Sequence, residues 1–199
     1  SNSAGIDSIT KSCYIYVVTT PTPCSELFFS EYLEGASNDK ALEIYNPTGA
    51  TVNLSAYSVE MYANGSNTPS STYNMTGTLA AHSVFVLANS TANSNILSLS
   101  DATSSVSNFN GNDALVLKRN GIILDIIGVV GVNPGLSWVV GSGTTQDHTL
   151  RRKINVSVPS EDWTTGQNEW DNFPIGTFSN LGSYTNNCAS SGQAAVASF

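Results

Sequence analysis

The sequence predicts an all-β protein folded as an antiparallel sandwich or barrel. Almost every apolar stretch is short, β-branched or aromatic, and closed by turn residues. The polar alphabet is Ser, Thr, Asn and Gly rather than Lys and Glu, which is poor helix material. Strands recur with no long helical pattern between them, as antiparallel architectures require. With 199 residues, 20.9 kDa, 40% apolar and 9% aromatic content, the chain suits one folded domain with tails.

The elements follow in order. Ser12–Thr20 contains Tyr14-Ile15-Tyr16-Val17-Val18, a strand-forming run. Thr20-Pro21-Thr22-Pro23 then reads as an extended linker that cannot join a central strand. Glu26–Tyr32, Ala41–Asn46, Tyr57–Ala63, Ser83–Ala88, Ala114–Arg119 and Ile122–Ile127 read as strands. Alternation is visible in Tyr57, Val59, Met61 and in Leu115, Leu117, where one face is apolar. Asn120-Gly121 marks a two-residue hairpin, because both central positions need positive φ. Asn46-Pro47-Thr48-Gly49 and Asn64-Gly65 are further turns. Only Thr91–Leu99 has room for a short helix. Alternation assigns Phe28, Leu42, Ile44, Tyr57, Val59, Val84, Val86, Leu115, Leu117, Ile123 and Ile126 to the core. The expected organisation is an arm over 1–24, one domain over 25–185 and a tail over 186–199.

Charge excludes some functions. Fifteen acidic and seven basic residues leave a net charge of −8, the wrong sign for a general nucleic-acid binder. The longest apolar run, Gly121–Val132, is too short for a membrane helix and carries Asp125. No charged start followed by an apolar stretch opens the chain, so any export signal is expected to have been removed. Asn-x-Ser/Thr acceptors at Asn53, Asn64, Asn74, Asn89 and Asn155 carry little weight, since a chain rich in Asn and Ser makes them by chance.

Candidate sites are sparse. His82 and His148 are the only imidazoles, and Asp147 beside His148 would point to the opposite face of an extended strand. No nucleophile elbow accompanies either histidine, so no catalytic residue is assigned. Gly128, Gly131 and Gly135 lack the Gly-Lys-Ser/Thr of a phosphate loop and read as a β-edge or turn. Glu31, Glu34, Asn38 and Asp39 crowd one strand-to-loop junction. A solvated acidic loop fits them better than a calcium site, although Glu31, Glu34 and Asp39 stay as calcium candidates. Arg151-Arg152-Lys153 is the sole basic cluster, and internal pairing with carboxylates suits it better than DNA contact. Trp138, Trp163 and Trp170 read as core filling before a sugar-stacking platform. No cofactor is expected.

Several segments together resemble a lamin tail domain of the kind found in secreted bacterial proteins. They are Leu27–Gly35 running into Lys40–Pro47, Val52–Val59, Phe109–Leu117 with Asp125–Gly128, and His148–Lys153 with Trp163, Trp170 and Phe173-Pro174 before Phe178–Gly182. The resemblance spans most of residues 26–184. It implies an immunoglobulin-like antiparallel β-sandwich, here with an extra N-terminal strand, and structural roles for Asp113 and Asp125. A carboxylate inside a strand must accept backbone or Arg hydrogen bonds. The resemblance also implies a non-catalytic module, carried by nuclear filament proteins in animals and by secreted or surface proteins, including nucleases, in bacteria. Cys24 precedes the first domain strand and Cys188 follows the last matching segment, which favours a bridge between them; Cys13–Cys24 is the rival pairing.

The functional expectation is a secreted or cell-surface structural protein that associates with copies of itself. Tyr14, Ile15, Tyr16, Val17 and Val18 would add as a strand to a neighbour's sheet edge. The alternative is an accessory module of a secreted nuclease or other exported enzyme.

Overall fold

The alternation and turn signals become two facing sheets in the computed structural model, which describes residues 23–188. In chain order the strands are β1 (Phe28–Glu34), β2 (Lys40–Tyr45), β3 (Val52–Asn53), β4 (Tyr57–Tyr62), β5 (Ser71–Asn74), β6 (Thr78–Leu79) and β7 (Val84–Ala88). After helix α1 (Ser94–Leu97) come β8 (Ala102–Thr103), β9 (Ala114–Arg119), β10 (Ile122–Ile127), β11 (Val139–Val140), β12 (Gly143–Thr144) and β13 (His148–Arg152). Helix α2 (Trp163–Gly166) precedes β14 (Trp170–Pro174). One sheet has the order β14-β13-β1-β2-β7-β8, the other β10-β9-β4-β5. All their pairings are antiparallel except β7 with the short β8. The chain is an immunoglobulin-like β-sandwich.

The core between the sheets holds Phe29, Tyr32, Leu42, Ile44, Val59, Leu87, Leu115, Leu117, Leu150, Trp163 and Trp170, among others. Asn120 (φ 50) and Gly121 (φ 79) make the expected tight turn between β9 and β10. Three core assignments need correction. Phe28 is buried, but it packs edge-on against Tyr45 and Tyr184, and its neighbour Phe29 enters the sandwich core instead. A register shift between Phe29 and Glu31 resets the alternation of β1. In β7, Phe85 and Leu87 face the core, whereas Val86 joins a second apolar cluster with Leu33, Ala41, Ile96 and Leu181. Val84 is only half-buried, whereas Ile123, half-buried as well, packs against the core as assigned.

That second cluster shows why alternation fails in β7. The six-stranded sheet is covered on both faces, by the other sheet inside and by α1 with the C-terminal segment outside. A strand buried on both faces is apolar throughout and gives no face preference. The C-terminal segment is a strap. Gly182 N donates to Glu43 Oε2 at 2.7 Å, Tyr184 OH to the Lys153 carbonyl at 3.2 Å and Asn187 N to the Ile154 carbonyl at 3.0 Å. It ends at the disulfide between Cys24 and Cys188.

Candidate functional site

The acidic junction at the end of β1 separates into three different environments. Glu31, Glu34 and Asp39 do not converge, and among the described residues no group of three potential metal ligands does. Glu31 and Glu34 are buried, so the expected solvated loop is not what forms. The reason is position: both lie inside β1, which has strands on either side. Glu31 turns to the outer face, where Arg151 Nε donates to its Oε2 at 3.2 Å and Glu43 stands opposite it on β2. Burial, reinforced by the Glu43 charge and opposed by Arg151, pushes the Glu31 carboxyl up to about 7. Glu34 accepts from Tyr32 OH at 3.1 Å and pairs with Lys40 at 3.5 Å. Asp39 Oδ1 accepts from Asn93 N at 2.7 Å, tying the β1–β2 turn to the start of α1.

Beside this junction lies a cavity of about 490 Å³, lined by Glu34, Lys40, Asn64, Asn110, Gln146 and Asp147 among others. Asp113 braces its wall, accepting from Asn64 N at 2.9 Å and Asn110 N at 2.7 Å. A Cβ on Gly111 would stand 2.6 Å from the Gln146 Cα, so only glycine allows these two loops to close on each other. Lys40 is the residue that sequence reading passed over. Its signal was a lone lysine opening an apolar strand.

The basic cluster is consumed internally. Arg152 is fully buried, forked onto Asp125 at 3.0–3.3 Å and bonded to Glu169 at 2.7 Å, with its guanidinium over the Trp170 and Phe28 rings. Asp125 also accepts from Phe29 N at 2.8 Å and Ser160 N at 3.0 Å. A single buried carboxylate on β10 thereby joins one sheet to β1 and β13 of the other. Arg151 pairs with Glu31 over the Phe173 ring, and Lys153 donates to the Asn168 carbonyl. Lys118 pairs with Glu60 and Arg119 with Glu26. All three tryptophans are buried, and Trp138 donates to the Asp113 carbonyl at 3.0 Å. The loop glycines Gly128, Gly131 and Gly135 all have positive φ, as turns require. Asp147 departs from the expected extended conformation, with φ of 55°, and its backbone N–H donates to Glu34. His148 Nδ1 instead engages the Gln146 carbonyl at 2.6 Å.

Tyr14, Ile15, Tyr16, Val17 and Val18 lie outside the described residues, as does Cys13. The root of the arm is described. Cys24 N donates to the Ser157 carbonyl at 2.7 Å, and Cys24 is bonded to Cys188 with a Cα–Cα distance of 5.6 Å. Residues 157–160 also cap one end of the β10 edge, where Ile126 N donates to the Ser160 carbonyl. The other end of that edge begins at Ile122, which is 69% exposed.

The profile of the Lamin Tail Domain family matches residues 20–131, more than half of the chain. The chain belongs to the lamin tail domain family. Among solved structures, a DUF4876 family protein from Bacteroides thetaiotaomicron is similar in fold, with a TM-score of 0.53 and 13% identity. That likeness covers 81% of this chain and 74% of the other. No curated protein matches. In this lamin tail domain the family match ends within the β10–β11 connection, yet β13 lies beside β1 at the centre of the six-stranded sheet. The strands that complete the sandwich therefore lie beyond the matched segment. None of the described helices is long and apolar enough to cross a membrane.

Proposed function

We propose that this chain is a non-catalytic, exported structural module that joins copies of itself by strand addition, with residues 12–20 as the donated strand. The observation that carries the reading is the edge of β10. Ile122 heads it with its side chain in solvent, and Ile126 is where the neighbouring 157–160 loop takes over. Exposed strand edges pair with extended segments through main-chain hydrogen bonds, while alternate side chains supply specificity. The other edges are less open: β8 has two residues, β14 ends in Pro174 and leans on β12 through Asn172, and β5 abuts Ser105.

Export is supported by the disulfide, because such bonds persist in oxidising compartments. A non-catalytic role is supported by how the reactive groups are spent. Each described lysine and arginine is engaged internally, which also leaves little free charge for phosphate.

Deleting residues 1–20 tests the assembly reading. Light scattering across a concentration series should find multimers of the intact chain and a folded monomer after deletion. A substitution of Ile123 by Pro, which removes a backbone donor from the acceptor edge, should have the same effect. An intact chain that stays monomeric at high concentration, or a truncated one that still assembles, would overturn the proposal.

A further inference from the structure

An amine, a primary amide and a carboxyl meet where the β1–β2 turn faces the loop before β9. Lys40 Nζ donates to Asn110 Oδ1 at 3.0 Å and to the Phe109 carbonyl at 2.6 Å. It stands 3.5 Å from Glu34 Oε1. Lys40 is 7% exposed and Glu34 5%, whereas Asn110 reaches solvent at the mouth of the cavity. The Phe109 ring lies 6.0 Å from Nζ and stacks on Tyr32 at 4.7 Å, forming an apolar wall. The Asn110 backbone that carries the amide is held in place from behind, since Asn110 N donates to Asp113 Oδ2 and Asp113 N donates to the Asn110 carbonyl at 2.9 Å.

We propose that Lys40 and Asn110 join in an intramolecular isopeptide bond, with Glu34 as the proton carrier. The step needs only these three side chains. A proton passes from Nζ to the Glu34 carboxylate, leaving a neutral amine. Its lone pair adds to Asn110 Cγ, which lies one carbonyl bond, about 1.23 Å, from the oxygen that Nζ already faces. A second proton moves from Nζ to Nδ2, the Cγ–Nδ2 bond breaks and ammonia departs through the open mouth. The ammonia takes the first proton back from Glu34 and leaves as ammonium. One ammonium lysine and one amide thus become one secondary amide and one ammonium ion, with Glu34 restored. Fixed proximity of this kind is worth a large effective concentration. Burial also raises the Glu34 carboxyl above its usual range, the direction that lets it hold a proton.

The bond would tie β2 of one sheet to the loop leading into β9 of the other. The disulfide fixes the entry to β1, and this link would fix its exit. It stands independently of strand addition.

Mass spectrometry of the intact chain, denatured and reduced, reads the outcome. The expected mass is lower than that of the sequence by one ammonia, and chymotryptic digestion should give a branched peptide joining Lys40 to Asn110. Lys40→Arg and Glu34→Gln should each restore the full mass. Asn110 precedes Gly111, and an Asn-Gly pair can lose ammonia by cyclising on its own backbone. A deficit found in a linear peptide around Asn110, or one that survives Lys40→Arg, would therefore overturn the proposal, as would the full sequence mass. The branched peptide is sought in the unaltered protein, so the result does not depend on either variant folding.

Discussion

Glu31 illustrates how one buried side chain sets a pH dependence. Its carboxyl lies under the C-terminal strap, opposite Glu43 and beside Arg151; across β13, Asp171 stands opposite Arg151. Its Oε1 has no hydrogen-bond partner among the described residues. Burial raises Glu31 from 4.5 to about 7, and Glu43 is raised in the same direction by burial. A carboxyl whose folded value exceeds its unfolded value binds more protons in the folded state. Its stabilising contribution is full below pH 4.5 and is lost as pH rises through about 7. The difference for Glu31 is on the order of 3 kcal/mol. Thermal unfolding should therefore shift to lower temperature between pH 5 and pH 8. Glu31→Gln, which keeps the shape without the charge, should flatten that slope and raise the melting temperature at pH 8. A parent and variant with parallel pH profiles would show that Glu31 ionises freely in the folded protein.

Between elements, the decisive contact is the Asp125–Arg152 fork that joins β10 to β13 and β1. Removing one member of a buried, hydrogen-bonded ion pair costs about 3–5 kcal/mol, because the other charge is left without a partner. Asp125→Ala should lose that much in denaturant unfolding, while Asp125→Leu combined with Arg152→Met should recover a large part of it. If the double variant is as unstable as the single one, packing and not charge is what the fork provides. The need for this partner was legible, since a carboxylate in an apolar strand must be satisfied, but the sequence does not say which arginine supplies it. The strands were legible wherever one face is wet: β4 and β9 alternate, and Asn120-Gly121 places the hairpin. β7 was located but faced wrongly, because Val-Phe-Val-Leu-Ala is apolar on both sides. β13 and β14 were harder to read, since His148–Arg152 and Trp170–Pro174 carry charges and a proline that suggest surface. They are strands because long-range pairing and the burial of Leu150 and Trp170 override local preference. The Lys40 cluster was illegible for a related reason: its partners lie 69 and 70 positions away.

At the scale of the whole molecule, closure depends on the last third of the described chain. The lamin tail match stops at residue 131, but β13 lies between β1 and β14, and Leu150, Trp163 and Trp170 fill the core between the sheets. The strap then crosses the outer face, and the disulfide links residues 164 positions apart. Closing so long a loop stabilises the fold by about 5 kcal/mol in the chain-entropy view, on the order of a whole domain's net stability. A fragment holding only residues 20–131 would leave one edge of β1 unpaired, Asp125 without its arginine, the core without Leu150, Trp163 and Trp170, and the outer face of the six-stranded sheet without its strap. The loss of the arginine alone costs about 3–5 kcal/mol. Such a fragment should show no cooperative thermal transition and poorly dispersed amide resonances. Residues 23–188 should unfold in one sharp step, at a lower temperature once the disulfide is reduced. A matched segment that folds cooperatively by itself would mean that β13, β14 and the strap are additions to a finished domain. The present geometry assigns them the opposite role, because the ion-pair fork and the central pairing of β1 both run through β13.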